Sequence, residues 1–358
     1  MGPRPVSIEY LSSGANRQTA VADWGRSGIL AFGADINVAL WRPSLDPPKG
    51  VSRLLSGHKS TVKALAFLPD AGEDDNSYLI SGSDDKTLIV WKAAANKEDF
   101  RLIQTSSDHT AAINCIAVLR VEGSQRWIIA TGSADASIKI WNFENDQLLL
   151  LQTIKTAPKY FPLSLSLSHV DDDGSVFVLA SAGTRDIVQI LTAEAKAEQI
   201  QFEAQATLTG HEGWIRSLSF ARETSAPDSD LLLASASQDK YIRIWRIHQG
   251  MELPAMAASG SDPSSDAYLP GKSPSNKAHR LKSAGKDFSV TFEALLLDHE
   301  DWIYSARWRR QDGDKLQLLS TSADNSLAIW EADPSSGIWL LEARVAFGQA
   351  CGPPMAGL

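Results

Sequence analysis

Segments that close on a tryptophan recur along this chain at a spacing of about 50 residues, and no other property restricts its fold so much. LISGSDDKTLIVW ends at Trp91, ATGSADASIKIW at Trp141, ASASQDKYIRIW at Trp245 and STSADNSLAIW at Trp330. A weaker copy closes at Trp41, and SAGTRDIVQIL closes at Leu191 instead. Ahead of each good copy stands a Gly-His or Asp-His pair: Gly57-His58, Asp108-His109, Gly210-His211 and Asp298-His299. Between pair and closing residue lie short alternating or apolar runs, β-branched and aromatic, bounded by turn formers; these read as strands. No long stretch keeps a 3.6-residue period, which excludes a helical solenoid. The unit is four short strands, repeated. Length alone, 358 residues, would predict two domains; the repeat predicts one.

Counting back from each tryptophan, a Ser or Thr lies ten residues earlier and an Asp six earlier. The sets are His58–Ser81–Asp85–Trp91, His109–Thr131–Asp135–Trp141, His211–Ser235–Asp239–Trp245 and His299–Ser320–Asp324–Trp330. Four-stranded units with this signature resemble the blades of WD40 β-propellers. The resemblance implies that each set forms a hydrogen-bonded string, with Asp holding His, His meeting the hydroxyl, and the hydroxyl reaching the indole N–H. A Ser, His and Asp could also be read as a hydrolase triad. Four copies, each tied to a tryptophan, fit a structural lock instead, because a catalyst needs one nucleophile in one cleft. The first unit has no Gly-His, and the fourth has Ser181 but Arg185 in the Asp place and Leu191 at the end. Both are expected to pack without the full lock.

Composition narrows the function classes. The net charge of −9 argues against a globally basic nucleic-acid surface. Cys115 and Cys351 are too few for a disulfide framework or a metal knuckle, and Cys115 sits in the apolar run INCIAVL as a buried thiol. His169, His248 and His279 lack metal-ligand spacing. No apolar run reaches the roughly 18 residues of a membrane helix, and MGPRPVSIEY has neither a signal core nor, with Val6, the myristoylation pattern. No metal, cofactor or membrane is expected.

Six four-stranded blades can be written over residues 1–347, followed by an irregular tail, 348–358. Blade one reads TAVADW, GILAFGA, NVALW and VSRLLS; blade six reads WIYSARW, LQLLSTS, SLAIW and IWLLEARV. The N-terminal run VSIEYLS is left over and, in the resembled fold, would close the ring as the outer strand of a last blade. The stretch 249–286, rich in Ser, Pro, Gly, Ala and Lys, reads as a disordered insertion between blade-five strands. Its Gly271-Lys272-Ser273 is no phosphate loop, since Asp266 stands where that loop needs Gly.

A narrower resemblance rests on longer segments. GANRQTAVADWGRSGILAFGADINVALWRP, KYFPLSLSL, LLLASASQDKYIRIWRI and STSADNSLAIWEADPSSGIW resemble the family of the second Elongator subunit, from about residue 6 to 346. That family is similar to two seven-bladed propellers in tandem, so six of an expected seven blades of the first would be present in a shortened chain. The resemblance implies a non-catalytic scaffold supporting tRNA wobble-uridine modification and the associated role in transcription elongation. It implies the large scaffold and catalytic acetyltransferase subunits as partners, and cytoplasm and nucleus as location. The alternative is a generic interaction module, such as a ubiquitin-ligase substrate receptor.

Two features are candidate contacts. Trp214 and Trp302 lie three residues after blade histidines, at the mouth of the inner strand, where Thr61 and Ala112 stand elsewhere; exposed aromatics there suit binding hot spots. Lys272, Lys277, Arg280, Lys282 and Lys286 form a basic stretch that could touch tRNA phosphates, although a solvated loop accounts for them as well.

Overall fold

The computed structural model describes residues 14–346 apart from 26–27, 44–49, 70–77, 95–98, 196–198, 227, 251–277 and 312. All named elements among these are strands, arranged in six antiparallel sheets. Blade 1 holds β1 (Ala22–Trp24), β2 (Leu30–Ala34), β3 (Asn37–Trp41) and β4 (Arg53–Ser56). Blade 2 holds β5 (Val62–Phe67), β6 (Tyr78–Ser83), β7 (Leu88–Ala93) and β8 (Phe100–Ser106). Blade 3 holds β9 (Ile113–Arg120), β10 (Arg126–Ser133), β11 (Ser137–Glu144) and β12 (Gln147–Lys155). Blade 4 holds β13 (Pro162–His169), β14 (Val176–Gly183), β15 (Val188–Glu194) and β16 (Glu203–Leu208). Blade 5 holds β17 (Ile215–Arg222), β18 (Leu231–Ser237), β19 (Tyr241–Gln249), β20 (His279–Ser283) and β21 (Lys286–Leu297). Blade 6 holds β22 (Ile303–Arg310), β23 (Leu316–Ser322), β24 (Ser326–Ala332) and β25 (Trp339–Ala346).

The first strands of successive blades pack on one another, β5 on β9, β9 on β13, β13 on β17 and β17 on β22, so they form the inner wall of a propeller. The core lies between blades. Ile80, Leu88 and Val90 of blade 2 meet Ile113, Trp141 and Phe143 of blade 3, and Ala234, Ile242 and Ile244 of blade 5 meet Ile303, Ala306 and Trp330 of blade 6. Blades approach so closely that a Cβ on Gly82 would stand 2.6 Å from Ile113 Cγ2, and one on Gly132 would stand 2.6 Å from Pro162 Cβ. Inner strands are also sewn together. Ser164 Oγ accepts from the Leu218 amide at 2.9 Å, Ser217 Oγ from the Ala306 amide at 3.1 Å, and Asp23 Oδ2 from the Phe67 amide at 2.8 Å.

A bulge falls at the closing residue in five blades, between Val90 and Trp91, Ile140 and Trp141, Ile190 and Leu191, Ile244 and Trp245, and Ile329 and Trp330. A bulge increases local twist, and repeated at one place it gives each blade the same bend.

Blade 5 differs from the sequence reading. Its insertion does not run to residue 286, because residues 279–297 form a hairpin and the sheet order is β17-β18-β19-β21-β20. The reason is visible in HRLKSAGKDFSV: Leu281, Phe288 and Val290 alternate and bury against blade 4 residues, while Ala284 and Gly285 take the positive φ of a two-residue turn. Charge had masked a strand pattern. Residues 251–277, the run VSIEYLS and the tail 348–358 lie outside the described residues.

Blade 6 has a different surface. Ile80, Ala130, Ala180 and Ala234 are wholly buried on the faces their blades turn toward the next, whereas the equivalent Leu319 is 37% exposed. Tyr304 and the outer-strand residues Leu340 and Val345 are exposed too.

Candidate interaction face

Four locks fix one face of the propeller. In blade 2, His58 Nδ1 lies 3.2 Å from Asp85 Oδ2 and Nε2 lies 2.8 Å from Ser81 Oγ, which accepts the Trp91 indole N–H at 2.9 Å. The corresponding distances are 3.0, 2.8 and 2.9 Å for His109–Asp135, His109–Thr131 and Trp141–Thr131. They are 2.7, 2.8 and 3.1 Å for His211–Asp239, His211–Ser235 and Trp245–Ser235. They are 3.1, 2.8 and 2.9 Å for His299–Asp324, His299–Ser320 and Trp330–Ser320. The connectivity is satisfied by a neutral ring that donates from Nδ1 to the carboxylate and accepts at Nε2 from the hydroxyl.

Each lock aspartate also holds backbone. Asp85, Asp135, Asp239 and Asp324 accept the amide two residues on, at 2.8–3.0 Å. They also accept the amide following the histidine, at 2.6–3.0 Å, from Lys59, Thr110, Glu212 and Glu300. Burial pushes these carboxyls up, but the hydrogen bonds outweigh it and leave all four below the ordinary carboxylate range. Burial also lowers the His58 and His109 rings, against the pull of their aspartates. The lock hydroxyls Ser81, Thr131, Ser235 and Ser320 are fully buried.

The two irregular blades find substitutes. In blade 4 the phenol of Tyr160 lies 2.9 Å from Ser181 Oγ and 3.0 Å from Gln189 Oε1. Blade 4 thus packs without the full His–Ser–Asp–Trp set, and Tyr160 takes the place of the histidine at its serine. Its signal was spacing, since Tyr160 precedes its serine by 21 residues and the histidines precede theirs by 21–24. In blade 1, Asn16 bridges the Asp35 turn and the Val62 carbonyl at 2.7–2.9 Å.

The locked loops present one equivalent position per blade. The backbone carbonyls of Thr61, Ala112, Phe161, Trp214 and Trp302 each accept an amide from the neighbouring turn, of Asp84, Ala134, Thr184, Gln238 and Ala323. These five residues thus share one site on the rim. Trp214 is 46% exposed, Trp302 is 45% and Phe161 is 41%. Sequence spacing had shown the two tryptophans but missed Phe161, because blade 4 has no histidine to count from. Arg216 lies over the Trp214 ring, 5.4 Å from its centroid, and Tyr304, two residues after Trp302, is exposed.

The basic stretch is not a uniform loop. Lys286 Nζ is held 2.8 Å from Asp171 Oδ2 and 2.7 Å from Asp173 Oδ1, which ties the blade 5 hairpin to blade 4 and neutralises its charge. Lys282 stands 3.4 Å from Asp287, and Arg280 is exposed on β20. Lys272 and Lys277 lie outside the described residues. On the far side of blades 5 and 6, a cavity of about 500 Å³ is lined by Arg222, Trp308 and Arg310. Both guanidiniums there donate to backbone carbonyls, Arg222 to those of Val170 and Ser229 and Arg310 to that of Glu223. Among the described residues no group of three or more His, Cys, Asp or Glu is placed to hold a metal.

Comparison with known proteins places this geometry. The model for "WD domain, G-beta repeat" matches residues 50–92, 100–142 and 202–246. Elongator complex protein 2 of Saccharomyces cerevisiae is 34% identical over 349 residues, which is 95% of this chain and 40% of the relative. The proteins of the same name from Danio rerio and Drosophila melanogaster are 31% and 32% identical over 94% of this chain, covering 38% and 41% of theirs. The chain spans about two fifths of the length of these relatives. Among solved structures, a chain of the mitotic checkpoint complex aligns with a TM-score of 0.60 over 96% of this chain and 85% of its own, at 17% identity; that likeness concerns the fold.

Proposed function

We propose, from the premise that this chain is a WD40-repeat β-propeller homologous to Elongator complex protein 2 along 94–95% of its length, that it serves as a non-catalytic scaffold within an Elongator-type complex. Its partners are the large scaffold subunit and the catalytic acetyltransferase subunit, and its place is the cytoplasm and nucleus. It supports tRNA wobble-uridine modification by holding those partners, and tRNA handling is theirs. The single observation carrying this reading is the homology, which covers nearly the whole chain rather than the repeat motifs alone.

The chemistry on the page agrees with a scaffold. The Ser, His and Asp of the locks are sealed in the blades, and the exposed rim offers aromatics and carboxylates, groups that bind. The test is affinity purification of the tagged chain from its own cells under mild conditions, with mass spectrometry of the retained proteins. Recovery of the two Elongator subunits is expected. Their consistent absence, with ubiquitin-ligase components in their place, would overturn the proposal.

A further inference from the structure

The rim is not uniform around the propeller. At the shared position the fold accepts Thr61 and Ala112, so it does not need an aromatic there. Blades 5 and 6 nevertheless carry indoles about half exposed, and each is preceded by an acid. Glu212 and Glu300 are exposed, and both follow a lock histidine with their amides pinned by the lock aspartate at 3.0 and 2.9 Å. Asp301, also exposed, adds a carboxylate beside Trp302. In blade 2 the acid's place is taken by Lys59 and in blade 3 by Thr110. The pairing of carboxylate and open indole is therefore a property of two adjacent blades, held by rigid backbone at the same place in each.

We propose that the rim of blades 5 and 6 is a docking site for an extended peptide segment bearing lysine or arginine, with its cations seated between the indoles and the carboxylates. Indole faces attract cations through their quadrupole, and Arg216 over Trp214 shows that ring already in such a contact. Glu212, Glu300 and Asp301 share this rim with the cations Lys240, Arg216 and Arg243, and the lock carboxylates Asp239 and Asp324 leave the sum acidic. The same carboxylates repel phosphates, which favours a protein segment over RNA. The site ends at blade 4, where the loop of Phe161 and the turn that follows Thr184 carry the exposed Lys159, Arg185 and Asp186. This inference holds whichever complex the chain joins, and its test needs no partner subunit.

The probes are a labelled ten-residue peptide alternating lysine and glycine, its glutamate counterpart, and a labelled ten-nucleotide oligouridine, each titrated by fluorescence anisotropy against the whole chain. The lysine peptide is expected to bind and the other two not to. The double variant Trp214→Ala/Trp302→Ala and the double variant Glu212→Gln/Glu300→Gln are each expected to weaken it at least tenfold. Glu122→Gln/Glu144→Gln removes the same charge from the opposite ends of blade 3 strands and is expected to leave binding within twofold. Circular dichroism and melting of each variant report on folding, and the glutamate variants alter only exposed side chains. Equal loss in the control pair would mean attraction to net charge alone and would overturn the site. Unchanged binding in the rim variants, or oligouridine binding lost in them, would overturn it as well.

Discussion

The lock is the residue-scale device of this protein, and its parts are unequal. Removing the Ser81 hydroxyl by Ser81→Ala leaves the Trp91 N–H and His58 Nε2 both buried without their shared partner, so a loss of about 1–3 kcal/mol in urea unfolding is expected. Ser181→Ala in blade 4 is expected to cost less, because Gln189 still receives the Tyr160 hydroxyl and the Leu191 side chain has no N–H to orphan. Equal losses would argue against this account. The locks also set the pH response. His58 and His109 titrate below their ordinary 6.5 when folded, so the unfolded chain binds their protons first as pH falls. Their contribution is whole above about pH 6.5 and drains away as pH drops through the folded values. The lock aspartates, held below 3.8, lose theirs at more acid pH still. The urea midpoint is expected to be flat from pH 8 to 7, to decline below 6.5 and to decline again below 4; a midpoint constant down to pH 5 would contradict it. The four histidine locks were legible in the sequence because their chemistry demands fixed residue types at fixed spacing. The Tyr160 lock was not, because tyrosine delivers the same hydrogen bond from a different side chain.

At the scale of elements, the β20–β21 hairpin shows how a surface addition becomes part of the core. Leu281 and Phe288 bury against blade 4, and Lys286 reaches Asp171, whose side chain is fully enclosed. Lys286→Met is expected to destabilise the protein and to speed hydrogen exchange at residues 280–290 before other regions. The cost should fall below the about 3–5 kcal/mol of breaking a wholly buried pair, since Lys286 is partly exposed and Asp171 keeps bonds from Ser175 and the Val176 amide. Exchange that rises evenly over all blades would mean the hairpin is no separate unit. On the same blade, Arg246 of β19 links Glu223, which follows β17, at 2.6 Å to Glu293 of β21 at 2.8 Å, with Asp230 at 3.0 Å. None of these partners was legible, because they are 16–47 residues apart and only the sheet order brings them together.

The apolar core lies between blades, so each interior blade depends on its neighbours as well as on its own lock. Ile80→Asp would place a carboxylate in the blade 2–3 core and is expected to abolish soluble folded protein. Leu319→Asp, at the equivalent but exposed place in blade 6, is expected to shift the melting temperature by only a few degrees. Comparable damage from both would mean that the blade 6 face is covered in solution. Gly82→Val tests the joint itself: with Ile113 already 2.6 Å from an added Cβ, blade 3 must move or the protein must unfold, whereas Ala182→Gly, at the matching place in blade 4, is expected to be mild.

The repeat, the four-strand plan of every blade but the fifth, the register of the locks and the resemblance to a known family all followed from the order of residues, because each depends on local spacing or on chemistry that repeats. What the tertiary structure alone decided lies where that spacing is silent. It placed Phe161 beside Trp214 and Trp302 on one rim, drew Lys286 out of a basic stretch into a pair with blade 4, and opened Leu319 while closing Ile80. Exposure and charge pairing are properties of neighbours distant in the chain, and a repeated sequence writes the same residues whether or not a neighbour covers them.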